Sequence, residues 1–458
     1  MSSNAWHVAL RTKHGIEVSG GGLFDCIESE RFIEFATWVG GIWLLCDGQA
    51  FLRDLLRELP REGLSMRGSR TRVYSAYYHA SGLEFRDADS ILPEPPPTAT
   101  KARDAINALC NLLSADTPPR SCGYLLAREV NDYARERYPA RGSILRSAAG
   151  SRQQVFRSEC KGGINLYDLR SSYGAAACAW SIPRGRESVL LNSRLRVKRE
   201  RAVFVDCLVS DKSAYGLLPR KGQGLGMGRY GSGTYRAAIA EPLLLAAEQT
   251  KAVKIEKIVA RYVYHSYSIA GVVRDAWSKR LDAERRDKPL EAAIWRYAIQ
   301  QFCGKFSEQP SLSEYLFALP PRQKGVRVIS WDADVYARDK AYYPALYHPS
   351  ASAWIRQVAQ IPLVRHLVFL GVLRVYVDSI ALVDRELMES TELGGWRRIA
   401  SGDVWHAESA TDAYIASADG EILWEIGRKH SKPLDIALKR KISTQSDNPV
   451  IQPNSRID

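Results

Sequence analysis

The sequence lacks the short motifs that mark several large enzyme classes. It contains no H-E-x-x-H, no G-x-x-x-x-G-K-S/T and no G-x-S-x-G, so the usual signals of zinc proteases, P-loop nucleotide hydrolases and α/β-hydrolases are missing. Its 8 cysteines are scattered, with no C-x-x-C pair and no companion histidine spacing. We therefore expect free thiols in a reducing cytoplasm rather than zinc sites or disulfides.

Signals for export or membrane insertion are also missing. The N-terminal residues do not pair a basic segment with an apolar one, and the longest apolar stretch, 361–377, is interrupted by Arg365, His366 and Arg374. The sequence therefore predicts a cytoplasmic protein with no membrane partner.

Positive charge is in excess. The 458 residues carry a formal net charge of +13, with basic residues concentrated at 194–201, 279–288 and 428–441. A charge of this sign favours a polyanionic partner, and nucleic acid is the first candidate. Such runs are also compatible with solvated faces of an ordinary globular protein. The length alone predicts about three domains.

The most informative stretch is C-K-G-G-I-N-L-Y-D-L-R-S-S-Y-G, residues 160–174. The apolar run of Ile164, Leu166 and Tyr167 predicts a short buried strand ending at Asp168. Small residues then predict a turn into an alanine-rich helix. A carboxylate at a strand end, next to the free backbone amides of a helix start, is suited to binding a divalent cation and a phosphate chain.

A second acid occupies a similar position far along the chain. Strands are predicted at 373–377 and 380–383, with only Asp378 and Ser379 between them. This spacing predicts a hairpin with the acid at its tip. Each acid alone is a weak signal, and the pair strengthens the prediction of a metal site.

The remaining pattern predicts a small α/β unit over residues 1–91, followed by a proline-rich linker at 92–100. Further strands are predicted at 41–46 and 202–208, and helices at 50–59, 102–113, 124–137, 238–248, 268–286 and 290–302. The glycine-rich loop 222–233 contains G-x-G-x-x-G, but no strand feeds it directly, so we interpret it as a hairpin tip.

The helix pair 268–302 has one basic side. The second helix carries Arg296, Gln300 and Cys303 at i, i+4 and i+7, which predicts one polar stripe. Such a pair could bind a triphosphate, and a solvated helical hairpin is the alternative.

In order and spacing, these segments resemble the motifs of family B DNA polymerases, in particular the compact protein-primed polymerases of phages and linear plasmids. D-L-R-S-S-Y-G at 168–174 resembles their first palm motif, D-x-x-S-L-Y-P, and R-V-Y-V-D-S at 374–379 resembles the third, Y-x-D-T-D-S. R-Y-A-I-Q-Q-F-C-G at 296–304 is similar to the fingers motif K-x-x-x-N-S-x-Y-G, and C-K-G-G at 160–163 to Y-x-G-G. Further similarity lies at 215–221, 238–248, 348–356 and 402–408, so that the resemblance covers about residues 157–415.

The resemblance implies a nucleotidyltransferase that adds deoxynucleoside monophosphates to a primer 3′-hydroxyl with two Mg²⁺ or Mn²⁺ ions. The implied metal ligands are Asp168, Asp378 and the backbone carbonyl of Leu169. The implied nucleotide-binding residues are Ser171, Ser172, Tyr173, Arg280 (or Lys279), Arg296 and Gln300. The implied DNA-binding residues are Lys161, Gly162, Gly163, Gly304, Lys305, Ser379 and Lys429. Tyr173 is expected to exclude a ribose 2′-hydroxyl. The implied partners are a DNA primer-template, deoxynucleoside triphosphates, and a terminal-protein primer or an accessory processivity subunit.

Several positions depart from the family pattern. Tyr376 stands where the third motif has its first aspartate. Arg296 replaces a lysine, and because a guanidinium stays protonated we expect slower chemistry. V-A-L-R-T-K-H-G at 8–15 resembles the first exonuclease motif, but Arg11 and Lys13 occupy its two acidic positions, so we expect no proofreading.

The implied fold is a multidomain α/β and α+β protein. It comprises a degenerate exonuclease-like (RNase H-like) α/β domain at 1–150, a palm with an antiparallel sheet at 151–260 and 311–420, helical fingers at 261–310, and a reduced thumb with a basic tail at 421–458. The N-terminal region could instead be an unrelated α/β domain. For function, two alternatives stay open: an inactive polymerase fold that binds nucleic acid, and a template-independent or protein-primed nucleotidyltransferase. A mobile element or specialised system is the expected source.

Overall fold

The computed structural model describes residues 6–12, 15–19, 26–27, 32, 36, 42–46, 64–68, 73–78, 83–87, 91, 98–115, 118, 122–130, 152–191, 201–220, 230–306, 311–317, 326–330, 335–341 and 346–427. Within these ranges the strands are β1 (Trp6–Thr12), β2 (Gly15–Ser19), β3 (Cys26–Ile27), β4 (Ile42–Cys46), β5 (Leu64–Gly68), β6 (Val73–Tyr78), β7 (Leu83–Asp87), β8 (Gln153–Val155), β9 (Glu159–Leu169), β10 (Ile182–Leu191), β11 (Arg201–Asp211), β12 (Gly233–Ala240), β13 (Val253–Tyr267), β14 (Ser311–Phe317), β15 (Val326–Ser330), β16 (Val335–Ala341), β17 (Val372–Tyr376), β18 (Ser379–Val383), β19 (Trp396–Ser409), β20 (Asp412–Ala416) and β21 (Ile422–Ile426). The α-helices there are α1 (Ala99–Leu113), α2 (Tyr124–Ala127), α3 (Ser172–Ala179), α4 (Glu241–Gln249), α5 (Ala270–Arg285), α6 (Pro289–Lys305), α7 (Pro349–Val358) and α8 (Ile361–Val364).

The N-terminal strands form part of a mixed, ten-stranded sheet with the order β15-β16-β14-β5-β6-β7-β4-β1-β2-β3. β4 runs parallel to both β1 and β7, and the other neighbours are antiparallel. Val8, Leu10 and Leu44 belong to the same buried cluster as Ile106 and Leu109 of α1. Burial of these apolar side chains attaches the helix to the sheet.

The second large sheet is antiparallel throughout and has the order β21-β20-β19-β9-β18-β17-β8. Along its central strand, β9, successive side chains point to opposite faces. Ile164 and Leu166 therefore share one core with Trp405 of β19, whereas Tyr167 enters another core with Ile380 of β18. This burial on both faces explains why the strand is apolar and continuous.

A four-stranded antiparallel sheet, β10-β13-β11-β12, packs against the seven-stranded sheet. Val203 and Val205 of β11 lie in the core that contains Tyr167. Register shifts in β11 and β19 mark bulges, which increase local twist and bend the strands. The described chain is thus a mixed α/β, multidomain protein with curled antiparallel sheets.

Helices α3, α5 and α6 pack together beside the seven-stranded sheet. Gly174 of α3 lies at the contact: a Cβ atom there would be 2.7 Å from Ile299 Cγ2 of α6 and 2.9 Å from Ser171 Oγ. The small residues of α3 therefore allow the two longer helices to approach the strand that carries Asp168.

Most predicted elements are confirmed, with differences at their ends. α1 begins at Ala99 because Thr98 caps it, its hydroxyl accepting from Lys101 N–H at 3.2 Å. The helix predicted from 238 begins at Glu241, because residues 238–240 pair with β11 and Pro242 favours a helix start.

The prediction of a helix over 124–137 is confirmed at 124–127 and wrong at 128–130. α2 ends at Ala127, and a 3₁₀ turn follows at Arg128–Val130. Residues 131–137, 50–59 and 222–229, on which further predictions fall, lie outside the described residues. Seven described cysteines are free thiols. In the part of the chain that the structure describes, no helix is long and apolar enough to cross a membrane.

The packing of α3 predicts opposite effects at two helical glycines. Gly174→Ala should lower the free energy of unfolding by about 1–3 kcal/mol, because its methyl group overlaps Ile299. Gly271→Ala in α5 should leave it unchanged or raise it by up to about 1 kcal/mol, since nothing lies within 4 Å of that Cβ. Urea unfolding of both variants checks this, and equal effects would contradict the packing of α3.

Candidate active site

Two acids from distant parts of the chain meet at one end of the seven-stranded sheet. β9 pairs with β18 so that Asp168 lies opposite Ser379, directly beside Asp378. The Leu169 N–H donates to the Asp378 carbonyl at 3.1 Å. The Ser172 hydroxyl, at the start of α3, donates to Asp378 Oδ2 at 3.0 Å. Strand, turn and helix start therefore converge on the two carboxyl groups.

The hairpin that carries Asp378 differs by one residue from the prediction. Its two turn residues are Val377 and Asp378, whereas Ser379 is the first residue of β18 and its hydroxyl donates to the Tyr376 carbonyl at 3.0 Å. Val377 has φ 59°, which is unfavourable for a β-branched residue. Its N–H donates to the Arg152 carbonyl at 2.7 Å, and this bond supports the strained turn.

Burial perturbs both acids, and the charge of Asp168 also acts on Asp378. Burial, followed by the negative charge of Asp168, raises the pKa of Asp378 to about 7, against an opposing effect of the Ser172 hydrogen bond. Burial also raises the pKa of Asp168, and the positive charges of Arg397, Arg296 and Arg170 oppose this. Two neighbouring carboxyl groups with raised pKa values are typical of functional sites, where a cation or proton compensates their charge.

Three arginines act on the acids, and a fourth, Arg280, lies close to two of these arginines. Arg397 of β19 contacts Asp168, with 3.2 Å between Nη2 and Oδ2. Arg170 follows β9 directly, and its Nε donates to the Ser390 carbonyl at 2.9 Å. Burial lowers the pKa of Arg280, as do the charges of Arg296 and Arg170, while Glu284 raises it. The arginines of α5 and α6 thus face the same region as the acids.

The helix residues predicted to bind nucleotide have different environments. Arg280 is half-buried and its Nε donates to Glu284 Oε1 at 2.9 Å, with the guanidinium 4.5 Å from the Trp277 ring centre. Gln300 is exposed. Cys303 is buried among apolar side chains, so the predicted polar stripe is wrong at this position. Residues at i, i+4 and i+7 cover a wide sector of a helix, so that Gln300 can be exposed while Cys303 is buried.

Tyr173 and Ser171 lie at the turn into α3. Tyr173 is half-buried and packs against the cluster formed by the helices. Ser171 has φ 52°, and in the part of the chain that the structure describes its buried hydroxyl has no hydrogen-bond partner. Ser172 is buried, and its hydroxyl is the one that contacts Asp378.

Most residues predicted to bind DNA lie outside this cluster. Lys161 is exposed on β9, and the Gly163 N–H donates to Asp384 Oδ1 at 2.9 Å. Gly162 has φ 137°, a conformation that requires glycine beside Asp384. Gly304 is exposed at the end of α6, followed by half-buried Lys305. Lys429 lies outside the described residues, and the DNA-binding roles of the others remain predictions.

Sequence reasoning missed the side chains of two arginines near the acids, Arg397 and Arg170, and a third arginine, Arg152, whose carbonyl supports the hairpin. Arg397 lies on β19, which pairs with β9. Arg170 occupies a position that the first motif, D-x-x-S-L-Y-P, leaves unspecified. Arg152, 1% exposed, donates from Nη2 to the Tyr215 carbonyl at 2.5 Å and lies 4.3 Å from the Tyr230 ring centre. Strand partners cannot be read from local pattern, so only the surplus of positive charge hinted at such a group.

The residues present fit a divalent cation. Carboxylate oxygens are hard ligands, and Mg²⁺ is commonly held by one or two carboxylates together with substrate phosphates and water. Among the described residues, no group of three or more histidine, cysteine, aspartate or glutamate side chains is arranged to hold a metal ion. Asp168 and Asp378 thus form a partial ligand set that needs oxygen atoms from elsewhere.

The raised pKa of Asp378 predicts that stability falls with rising pH in metal-free protein. Between its ordinary value of 3.8 and about 7, the unfolded chain releases a proton that the folded chain keeps, so the free energy of unfolding decreases as pH rises. At pH 8 the free energy of unfolding of Asp378→Asn should therefore exceed that of the wild type by about 1–3 kcal/mol. This difference should disappear near pH 4.

Denaturation in the presence of a chelator measures this difference. Asp275→Asn is the control, because Asp275 is an exposed acid of α5 whose carboxylate contacts Lys279 at 2.6 Å. An Asp378→Asn advantage that does not change with pH would contradict the assignment.

The fold is similar to that of solved DNA polymerases. Phi29 DNA polymerase complexed with primer-template DNA matches with a TM-score of 0.63 and 12% identity, over 96% of this chain and 94% of that chain. The same polymerase complexed with single-stranded DNA gives the same values. Its complex with primer-template DNA and incoming nucleotide matches with a TM-score of 0.60 and 11% identity, over 95% and 94%. No family model and no curated protein matches. The chain therefore has a DNA polymerase-like fold, on the evidence of structure.

Proposed function

We propose that this protein is a DNA-directed DNA polymerase that transfers deoxynucleoside monophosphates to a primer 3′-hydroxyl and does not proofread. The observation that carries the proposal is the meeting of Asp168 and Asp378 on an antiparallel sheet, inside a fold similar to Phi29 DNA polymerase. Both acids belong to segments that resemble polymerase motifs, so sequence and geometry support the same reaction.

The acid pair would hold Mg²⁺ or Mn²⁺, with the Leu169 carbonyl as a further ligand. When bound, such ions lower the pKa of the attacking hydroxyl and neutralise the pyrophosphate leaving group. The protein's own residues would hold the two acids in position. The Ser172 hydroxyl orients Asp378, and the Leu169 N–H ties the turn to β9.

Arg170, Arg280 and Arg296 would bind the triphosphate, since the charges of Arg170 and Arg296 act on Asp168 and Arg280 lies close to both of these arginines. Ser171, with its unpartnered buried hydroxyl within the described ranges, and the amides at the start of α3 would add hydrogen bonds to phosphate oxygens. A guanidinium stabilises phosphate charge without giving up a proton, so Arg296 would act by electrostatics alone.

The proposed division of the chain follows the sheets. The seven-stranded and four-stranded sheets would form the palm, α5 and α6 the fingers, and the N-terminal part of the mixed sheet a degenerate exonuclease-like domain. Strands β14–β16, which were predicted to belong to the palm, lie in this mixed sheet instead, where β14 pairs with β5. Arg11 stands on β1, and a cation at an expected metal-ligand position supports the absence of proofreading. Lys13 and residues 428–458 of the predicted thumb lie outside the described residues, whereas residues 422–426, also predicted as thumb, form β21 of the seven-stranded sheet.

The proposed partners are a DNA primer-template and deoxynucleoside triphosphates. The net charge of +13 supports a polyanionic partner, and the similar Phi29 structures are complexes with such molecules. A terminal-protein primer or an accessory processivity subunit, a cytoplasmic location and a mobile-element source remain part of the same proposal.

Primer extension with Mg²⁺ or Mn²⁺ tests the function. Asp168→Ala and Asp378→Ala should each reduce template-directed extension by at least about a thousandfold, because a lost metal ligand removes several kcal/mol of transition-state stabilisation. Asp275→Ala, an exposed acid on α5, should extend like the wild type. DNA binding without extension under any condition would instead indicate an inactive binding protein, and extension without template a template-independent transferase.

Tyr173 provides a test of sugar selection. Tyr173→Ala should lower the preference for deoxynucleotides over ribonucleotides by about 10- to 100-fold, since removal of a ring opens room for a 2′-hydroxyl. Tyr173→Phe keeps the ring and should keep the preference. Ratios of kcat/KM for the two nucleotide types measure it, and an unchanged ratio in Tyr173→Ala would exclude Tyr173 from sugar selection.

A further inference from the structure

Arg397 forms an ion pair with Asp168 that is built into the sheet. β19 runs antiparallel to β9, and the register places Arg397 directly opposite Asp168. Residues opposite each other in an antiparallel pair project from the same face, with their Cβ atoms about 5 Å apart. The contact of 3.2 Å between Nη2 and Oδ2 therefore follows from the backbone pairing.

The same guanidinium acts on the second acid, since its charge also lowers the pKa of Asp378 against the larger effect of burial. Arg397 thus stands where a cation bound by the two acids would feel its repulsion. With Arg170 and Arg296, three positive side chains act on the two acids before any metal enters. A free divalent ion would meet net repulsion in this site.

Arg397 can be displaced from this position. Its side chain is 41% exposed and that of Asp168 26%, and ion pairs of such exposure are weak. Its Nε is buried and, within the described residues, has no hydrogen-bond partner, so one donor remains for another acceptor. Phosphate oxygens are strong acceptors for a guanidinium and form short, charge-assisted hydrogen bonds.

We propose that Arg397 is the resident counter-cation of Asp168, which keeps free divalent ions out of the acid pair until a nucleoside triphosphate enters. The negative charge of the triphosphate draws Arg397 from Asp168 to the phosphates, and the carboxylate then becomes available to the metal that arrives with the nucleotide. Arg397 thus acts through Asp168 before the nucleotide binds and contacts the phosphates afterwards. The inference rests on the proposed function, because it assumes that the acid pair binds metal for nucleotidyl transfer.

The test is the affinity of full-length, nucleotide-free protein for Mn²⁺, measured from the electron paramagnetic resonance signal of free Mn²⁺. Arg397→Gln should bind Mn²⁺ about tenfold or more tightly than the wild type, because a repelling charge and a competitor for Asp168 are both removed. Asp168→Asn in the Arg397→Gln background should abolish the gain. At saturating Mn²⁺, the affinities of the two proteins for the metal–nucleotide complex, measured by equilibrium dialysis of labelled deoxynucleoside triphosphate, should agree within about threefold.

Arg398→Gln is the matched control. Arg398 is the next residue of the same strand, but its guanidinium contacts Glu386 at 3.1 Å and Glu389 at 3.4 Å instead of the acid pair. Its Mn²⁺ affinity should equal that of the wild type. Arg397→Met, which keeps the alkyl chain and removes the charge, serves as a second variant if circular dichroism shows that Arg397→Gln does not fold.

Equal Mn²⁺ affinities for the wild type and a folded, uncharged Arg397 variant would overturn the inference, as would a gain that survives Asp168→Asn. The titration requires no catalysis, so its outcome is independent of primer extension. Extension without a gain in Mn²⁺ affinity would refute the role of Arg397 alone. A gain without extension in any condition would refute the polymerase and leave a gated metal site.

Discussion

The antiparallel pairing of β9 with β18 is the constraint on which the candidate site depends. It sets Asp168 opposite Ser379, and the bond from the Leu169 N–H to the Asp378 carbonyl closes the end of the ladder. A shift of one residue would turn Asp168 to the other face of the sheet. The apolar residues of both strands prevent such a shift, because Ile164 and Tyr167 fill cores on opposite faces.

The electrostatic balance of the site follows from this arrangement. Burial raises the pKa of both carboxyl groups, and the negative charge of Asp168 raises that of Asp378 further. Arginines from three different elements compensate part of it: Arg170 after β9, Arg296 on α6 and Arg397 on β19. The site is therefore prepared for a bound anion as well as for a cation, which is the combination that a metal–triphosphate complex presents.

Much of the local structure could be predicted from the sequence, and the errors have physical causes. The strand before Asp168, the alanine-rich helix and the hairpin around Asp378 follow from periodicity and turn residues. The turn lies one residue earlier than predicted, because the bond from Val377 N–H to the Arg152 carbonyl favours a strained conformation that local preferences oppose. Cys303 is buried because α1, α2 and α3 pack around α6, which the helix's own pattern does not reveal.

The sequence by itself determined the strand that carries Asp168, the helix that follows it, the hairpin that carries Asp378, and the excess of positive charge. These features depend on residues close in the chain, where periodicity and turn geometry act. Only the tertiary structure decided that Arg397 faces Asp168, that Ser172 hydrogen-bonds Asp378, and that Arg152 supports the hairpin. Each contact joins residues more than 200 positions apart, as the separation of 206 positions between Ser172 and Asp378 illustrates, and depends on strand order and register. Those are set by the collective burial of whole sheets, which no local segment encodes.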